Sequence, residues 1–352
     1  MRWFYLFIMC AAIGHFDGGA ARAANDGAFK ILDWNGRAYW TQNRKDRQFD
    51  RCSAELTNTD KISIIYSLDR HFMWTFELSN PTWNFPKGAT FEVTFGIGNR
   101  NYIRQRVIAL EPRLVRVQLP DSVNAFEALR SIIQLELIAG GLTSQFKLGY
   151  SNAVLTALTH CVLRNGTTAK IRAAVAAWLK SPVGSAARPS TDPETQKEAL
   201  ALGTNIISEA AMTKAAILKP DEIPADTAGD AVWKIGDNLF TVSILPQNGA
   251  PQIGDVTDLI IGGDAQKCRG DFFSGAMLDV IETVGVARAY TNCLTQQAAT
   301  SAYYFAIPRK KGGLYLLTSI ARGVEVTPSG EKTLRDVDSK IRASIMTALS
   351  KL

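Results

Sequence analysis

Four of the five cysteines lie beyond the N-terminal segment, and they set the strongest limit on how this chain can fold. Cys52 and Cys161 lie in its first half, and Cys268 and Cys293 lie in its second. An even number of cysteines in an exported chain favours disulfides, and each would stabilise the fold by about 3–5 kcal/mol. Four cysteines allow three pairings. We expect the pairing within each half, Cys52–Cys161 and Cys268–Cys293, with reduced and buried thiols as the alternative.

The N-terminal segment predicts export. Arg2 precedes an apolar stretch over residues 3–13 that is too short to span a bilayer, and residues 21–23 read Ala-Arg-Ala. This order is typical of a secretory signal peptide, so residues 1–23 are expected to be removed together with Cys10. An uncleaved anchor is the alternative. The remaining chain is expected in the periplasm or outside the cell.

Length and composition favour a globular protein of two domains. The chain has 352 residues, 46% of them hydrophobic and 20% charged. This length exceeds one typical domain, and this apolar fraction excludes wholesale disorder. After the signal peptide no apolar run approaches the roughly 18–20 residues of a transmembrane helix. We expect four segments: a signal peptide (1–23), a β-rich domain (24–166), a helical connector (167–229) and an α+β domain (230–352).

The first domain is expected to be β-rich and sandwich-like. Apolar and polar residues alternate over residues 62–68 and 73–78, which is the period of a half-buried strand. Asn80-Pro81 predicts a turn between later strands. Ser151 is placed to cap a helix that ends near Leu163.

The connector contains a strong helix start. Asp192-Pro193-Glu194 combines a capping side chain, a first-turn proline and an acid near the positive end of the helix dipole. We expect this helix to continue through Gly203 to about Leu218, where Pro220 ends it.

The second domain is expected to be an antiparallel sheet with a long C-terminal helix, which makes the chain an α+β protein. Gly262-Gly263 indicates a turn, and residues 309–313 indicate a basic hairpin turn. Ser329 is a plausible helix cap. Apolar residues then recur at helical spacing at Leu334, Val337, Ile341, Ile345, Leu349 and Leu352.

The sequence contains no convincing catalytic or metal-binding constellation. Residues 149–153 resemble the G-x-S-x-G elbow of α/β-hydrolases, but the following histidine, His160, would lie on the opposite face of the same helix as Ser151. No C-x2-C pair is present, and His71 is the other histidine after the signal peptide. We therefore expect no catalytic residue, metal or cofactor. Enzyme activity stays open, with Ser151 as the nucleophile of an alternative envelope hydrolase.

The positive charge of the chain is concentrated in its first half. Residues 24–180 hold 20 Lys and Arg against 13 Asp and Glu, whereas residues 181–352 hold 17 against 19. Five arginines cluster against the single acid Glu111: Arg100, Arg104, Arg106, Arg113 and Arg116. They form a candidate surface for an anionic envelope component or an acidic protein, since nucleic acid is an improbable partner outside the cytoplasm. A solvated strand face, or docking onto the second domain, is the alternative.

Tryptophans are concentrated in the same half. Four lie within fifty residues: Trp34, Trp40, Trp74 and Trp83. Exposed tryptophans could stack on the sugars of an envelope polysaccharide, whereas buried ones would fill the core of the β domain.

One segment resembles a known family. Phe146-Lys147-Leu148-Gly149 leads into the helix capped by Ser151, which reaches Cys161. This ending is similar to that of invasion-associated locus B proteins, exported by α-proteobacteria, and the resemblance covers residues 34–163. It implies a secreted, β-rich, disulfide-bearing domain linked to host-cell invasion, with no known active site. The second domain shows no such resemblance.

Together these observations predict an exported, non-enzymatic binding protein of the bacterial envelope, with two disulfide-stabilised domains. The alternatives are an envelope hydrolase using Ser151 and a polysaccharide-binding protein using the tryptophans.

Overall fold

The structure is a computed structural model. It describes residues 28–34, 37–43, 49–97, 101–119, 125–126, 129, 134–139, 142–147, 151–166, 173, 192–225, 227–245, 252–296, 298–323 and 328–351. The expected signal peptide (1–23) and almost all of residues 167–191 lie outside these ranges.

Ten strands of the first half form one antiparallel sheet. They are β1 (Ala28–Trp34), β2 (Arg37–Asn43), β3 (Phe49–Thr57), β4 (Ser63–Asp69), β5 (Trp74–Ser79), β6 (Thr90–Ile97), β7 (Asn101–Glu111), β8 (Leu114–Val117), β9 (Gln134–Ala139) and β10 (Leu142–Lys147). Their order in the sheet is β1-β2-β3-β4-β5-β8-β7-β6-β9-β10. The period-2 pattern explains the strands, since Ile64, Tyr66 and Leu68 of β4 are buried on one face.

This sheet curls, so its buried face encloses a core. β4 and β10 are six positions apart in the sheet order, which would separate them by about 29 Å in a flat sheet. Ser144 of β10 nevertheless lies 3.5 Å from Asp60 in the β3–β4 turn, measured from Oγ to Oδ2. The layers of the expected sandwich are therefore parts of one continuous sheet.

A disulfide ties the first helix to this sheet. Helix α1 (Ser151–Asn165) buries Leu155 and Leu158 in the core, and Cys161 on it bonds to Cys52 of β3. Ser151, predicted as the cap, is the first residue of the helix itself, and the helix ends at Asn165, two residues beyond the expected Leu163. The predicted Cys52–Cys161 pairing is confirmed.

The described residues of the second half form seven antiparallel strands and three helices. The strands are β11 (Ala215–Ile217), β12 (Ala231–Ile235), β13 (Asn238–Leu245), β14 (Asp271–Ile281), β15 (Val284–Leu294), β16 (Ala299–Pro308) and β17 (Leu314–Gly323), in the order β11-β12-β13-β17-β16-β15-β14. The helices are α2 (Pro193–Glu209), α3 (Ile253–Lys267) and α4 (Pro328–Ser350). The predicted α+β class and long C-terminal helix are confirmed. The described helices include none long and apolar enough to span a membrane.

Helices cover both faces of this second sheet. Phe305 and Leu317 pack with α2 and α4, whereas their neighbours Ala306 and Leu316 pack with α3. Consecutive residues of these strands are therefore buried, which explains their continuous apolar sequences. Cys293 of β15 bonds to Cys268 at the end of α3, as predicted.

Helix α2 begins where the sequence predicts and ends earlier. The Asp192 side chain caps it by accepting a hydrogen bond from the Thr195 backbone N–H at 3.1 Å. The expected extension to Leu218 is wrong, because Ala211 adopts a φ of +51° and closes the helix. The Ala211 N–H donates to the Ser208 carbonyl and the Met212 N–H to the Ile207 carbonyl, which together form a Schellman motif.

Three glycines show how close packing overrides local preference. Gly262 and Gly263, expected as a turn, lie inside α3, where both are buried. Gly203 lies in α2 because Trp233 packs directly on it: a Cβ there would be 2.1 Å from the Cη2 atom of Trp233.

The two sheets share one cluster of buried side chains. Trp74 of β5 stacks on Phe126 at 4.6 Å and on Phe273 of β14 at 5.7 Å between ring centroids. The domain limits at residues 166 and 230 stay a prediction.

Candidate functional site

Two of the five predicted arginines extend outward from one strand. Arg104 and Arg106 of β7 are exposed, whereas Val107 and Ala109 of the same strand are buried in the core. Residues two apart on a strand lie on one face, about 7 Å from each other. Arg113 is also exposed, in the turn between β7 and β8. We call Arg104 and Arg106 the arginine pair.

Arg116, in contrast, is bound by a carboxylate on a neighbouring strand of the same sheet. Arg116 of β8 donates two hydrogen bonds to Oε1 of Glu77 on β5, at 3.0 Å from Nε and 2.6 Å from Nη2. This contact neutralises part of the sheet's outward positive charge, and Glu92 of β6 lies opposite Arg106 in the strand register. Arg100 lies outside the described residues. Of the described arginines in the predicted cluster, Arg104, Arg106 and Arg113 are therefore exposed, and the arginine pair is the part of this surface that lies on one strand.

The tryptophans do not form one exposed platform. Trp74 is buried, and its Nε1 donates to the Ser274 carbonyl at 2.8 Å. Trp83 is half-buried and contacts Phe85, with ring centroids 5.4 Å apart. Trp34 and Trp40 belong to β1 and β2, and their side chains lie outside the described part of the chain.

A turn that the sequence did not single out joins the two sheets. Between β4 and β5, the Asp69 carboxylate accepts hydrogen bonds from the backbone N–H groups of His71 at 2.8 Å and Met73 at 2.9 Å. Phe72 is buried with a φ of +58°, a conformation that non-glycine residues rarely adopt. Its carbonyl accepts a hydrogen bond from the Ala276 N–H of β14 at 2.7 Å. We call the β4–β5 turn and its contacts with β14 and α3 the junction.

Trp74 completes the apolar side of the junction. Its ring lies over Gly275, where a Cβ would be 2.8 Å from Cδ1 of Trp74. Only glycine allows this close approach of backbone and ring. The turn is therefore held by backbone hydrogen bonding and aromatic packing together.

The polar side of the junction is a histidine–aspartate pair. His71 Nδ1 lies 3.2 Å from Oδ2 of Asp258 on α3, and Nε of Arg70 donates to His71 Nε2 at 3.1 Å. The His71 side chain is 40% exposed, whereas that of Asp258 is 6% exposed. The second carboxylate oxygen of Asp258 is buried, and none of the described residues forms a hydrogen bond with it.

These contacts shift the pKa values of the titratable side chains at the junction. The hydrogen bond to Asp258 raises the pKa of His71, and burial raises the pKa of Asp258. Burial also raises the pKa of Asp69, although two backbone N–H groups donate to its carboxylate. A histidine beside a carboxylate can act as an acid or base, but the described residues place no nucleophile within hydrogen-bond distance of His71.

The proposed nucleophile of the alternative hydrolase is separate from this pair. Ser151 begins α1, and His160 is exposed on the same helix nine residues later. The Ser151 side chain lies outside the described residues, so a role for it stays a prediction.

A polar pocket of about 280 Å³ lies where α2 meets the β16–β17 hairpin. Arg309 donates to both carboxylate oxygens of Glu198, at 2.7 and 2.5 Å, and the Tyr315 hydroxyl donates at 2.6 Å. Arg309 holds the pKa of Glu198 down to about 2, and burial raises the pKa of Tyr315 to about 12. Three of the charged side chains that line the pocket, Glu198, Arg309 and Lys311, thus bind one another, and the predicted basic hairpin helps to fix α2.

Two buried polar contacts hold helices on the second sheet. Arg288 of β15 donates to Asp338 of α4 at 2.7 Å, and each side chain is 1% exposed. Asp264 of α3 accepts hydrogen bonds from the Tyr304 hydroxyl at 2.6 Å and from the Thr291 hydroxyl at 2.7 Å. Each contact joins a helix to a strand, which is a structural role.

In the described part of the chain, no group of three His, Cys, Asp or Glu side chains could hold a metal ion.

The sequence reasoning missed the His71–Asp258 pair because 187 residues separate its members. No local spacing signals such a contact.

Comparison with known proteins adds no relative. No protein-family model matches the chain. No curated protein matches it either. The resemblance of residues 34–163 to the invasion-associated locus B proteins therefore stays a prediction.

Proposed function

We propose that this chain is an exported, non-enzymatic binding protein of the bacterial envelope that holds an anionic partner on the arginine pair. The observation that carries the proposal is the outward position of Arg104 and Arg106 on a strand whose other face is core. The strand holds the backbone positions of the two arginines about 7 Å apart on one face. Arginine suits carboxylate and phosphate groups because its planar donors can form paired hydrogen bonds.

The disulfides support the export part of the proposal. Cys52–Cys161 and Cys268–Cys293 use all four cysteines that remain after the expected signal cleavage. Such bonds persist in the periplasm and outside the cell and are rare in the cytosol. Cell fractionation, with thiol labelling of the denatured protein, tests this part. Recovery from the cytosol with four free thiols would contradict it.

Binding to an anionic surface is tested with lipid vesicles. We expect the protein to bind phosphatidylglycerol vesicles more tightly than phosphatidylcholine vesicles, and the preference to shrink as salt increases. The double variant Arg104→Glu/Arg106→Glu should bind at least about thirtyfold more weakly, since each basic residue near an anionic surface contributes about 1 kcal/mol.

A matched control separates this site from overall charge. Lys214→Glu/Lys234→Glu makes the same change in net charge at two exposed positions of the second half. We expect this variant to retain binding within about threefold. Equal losses for the two variants would mean that the arginine pair has no special role. Purified lipopolysaccharide and an acidic protein serve as further probes of the partner class.

A polysaccharide is the second candidate partner, and the partial exposure of Trp83 favours it. Its ring packs against Phe85 and Phe91, with centroids 5.4 and 6.5 Å away, and its remaining surface could stack on a sugar. Peptidoglycan fragments should then quench tryptophan fluorescence, and Trp83→Ala should abolish the quenching. No quenching at millimolar fragment concentration would reject this candidate.

A further inference from the structure

The junction brings a titratable pair from two distant parts of the chain into contact. His71 belongs to the β4–β5 turn of the first sheet, and Asp258 belongs to α3, which packs on the second sheet. The same turn is hydrogen-bonded to β14 through Phe72 and Ala276. A change in the protonation of His71 or Asp258 therefore acts directly on the contact between the two sheets.

The two ring nitrogens of His71 define two states of this contact. In the structure Nε2 accepts a hydrogen bond from Arg70, which requires that Nε2 carry no proton. The imidazole is then neutral, and its Nδ1–H points to Asp258. A proton on Nε2 turns that acceptor into a donor, so Arg70 must move away. The ring becomes a cation beside the Asp258 carboxylate.

The carboxylates around His71 favour its protonated state, whereas the positive charge of Arg70 and partial burial oppose it, and the net effect is a raised pKa of His71. Asp69 and Arg70 face it from its own turn, and Asp258 faces it from α3. Asp255 of α3 and Asp50 of β3 add negative charge beside Asp258 and Asp69, and the Ala276 contact of β14 is a backbone group. Among the described residues the second oxygen of Asp258 has no hydrogen-bond partner, so within this part of the chain its negative charge is compensated mainly by a protonated His71.

We propose that His71 makes the junction a pH-responsive latch, which holds the two sheets together more tightly at mildly acidic pH than above neutral pH. The histidine contribution is complete below its ordinary pKa of about 6.5 and is lost as the pH rises through the raised value. The raised pKa values of Asp69 and Asp258 act in the same direction at lower pH. An exported protein meets the pH of its surroundings directly, so this latch would adjust the junction to them.

Hydrogen exchange at the Ala276 amide measures the latch. This N–H donates to Phe72 across the junction, so it exchanges when the junction opens locally. After correction for intrinsic exchange rates, we expect the open population to be roughly threefold larger at pH 8.5 than at pH 6.0, the size of a partly exposed ion pair. Equal open populations at the two pH values would overturn the proposal.

Two variants and one control assign the effect to the pair. His71→Gln and Asp258→Asn each remove one partner, so each should abolish the pH dependence at Ala276. His160→Gln removes an exposed histidine on α1 and should behave like the unchanged protein. A pH dependence that persists in both junction variants would overturn the proposal, as would its loss in His160→Gln. Failure of vesicle binding would leave this result unaffected, since the arginine pair lies on another strand.

Discussion

The two sheets differ in how they use charged residues. The first sheet buries one face, so arginines can stand on the other: Arg104 and Arg106 are exposed beside the buried Val107. The second sheet is covered on both faces, and its arginine at position 288 is 1% exposed and paired with Asp338. Arginine thus forms part of an exposed surface on the first sheet and holds a helix on the second.

This difference predicts which charged residues affect binding and which affect the free energy of unfolding. The exposed charges of the arginine pair can change with little effect on folding, because solvent screens them. Charged side chains buried against the second sheet cannot be replaced in this way, because the loss of one partner leaves the other as a buried, unpaired charge. The variants below test this contrast, beginning with the largest expected effect.

Loss of the long-range disulfide should have the largest effect on stability. Cys52–Cys161 spans 109 residues and Cys268–Cys293 spans 25. In the chain-entropy model, replacing both cysteines by serine should lower the free energy of unfolding by about 5 kcal/mol for the first bond and about 3.5 kcal/mol for the second. Denaturant unfolding without reductant measures both values. A larger loss for the Cys268–Cys293 variant would contradict this prediction.

Removal of a buried charge partner should come next. Asp338→Asn leaves Arg288 with a weaker partner inside the second sheet, which should lower the free energy of unfolding by about 3 kcal/mol. Asp336→Asn is the matched control, because Asp336 is exposed on the same helix. Thermal melting of the two variants should differ clearly. Equal melting temperatures would show that the buried pair does not hold α4.

The Gly203–Trp233 contact should have an intermediate effect. Gly203→Ala would place a Cβ 2.1 Å from Trp233 and force α2 away from the second sheet, at a cost of about 2 kcal/mol. Gly254→Ala in α3 meets no atom within 4 Å and should be neutral or slightly stabilising. If both substitutions raised the free energy of unfolding, α2 could shift away from Trp233 without loss of stability, which would contradict this prediction.

The Glu198 cluster should give the smallest effect, visible in acid. Because its pKa is lowered to about 2 from the ordinary 4.5, Glu198 contributes stability above about pH 4.5 that is lost as the pH falls towards 2. Glu198→Gln should therefore reduce the loss of stability between pH 5 and pH 2.5, by less than about 1 kcal/mol because solvent screens the cluster. Glu194→Gln, at an exposed position of the same helix, should leave the acid dependence unchanged.

The sequence predicted the features that depend on local chemistry. The cap at Asp192 and the C-terminal helix depend on local capping and 3.6-residue periodicity, and both are present. The cysteine pairing followed from assigning two cysteines to each half. Periodicity also predicted the strands of the first sheet, since one of its faces is buried.

Other features depend on contacts between distant residues. Ala211 ends α2 in a position where glycine is the usual signal, and Gly203 is explained only by Trp233. Gly262 and Gly263 lie in a helix because α3 packs closely on the second sheet. The arginine cluster was visible in the sequence, but the Arg116–Glu77 pair within it was not, since 39 residues separate its members.

Arginine footprinting tests the binding proposal most directly. Phenylglyoxal modifies exposed arginines, and mass spectrometry measures the extent at each position with and without phosphatidylglycerol vesicles. We predict that the vesicles protect Arg104 and Arg106 while Arg269, exposed in the second half, stays reactive. Equal modification of all three arginines with and without vesicles, or protection at Arg269 alone, would contradict the proposal that the outward face of the first sheet is the binding surface.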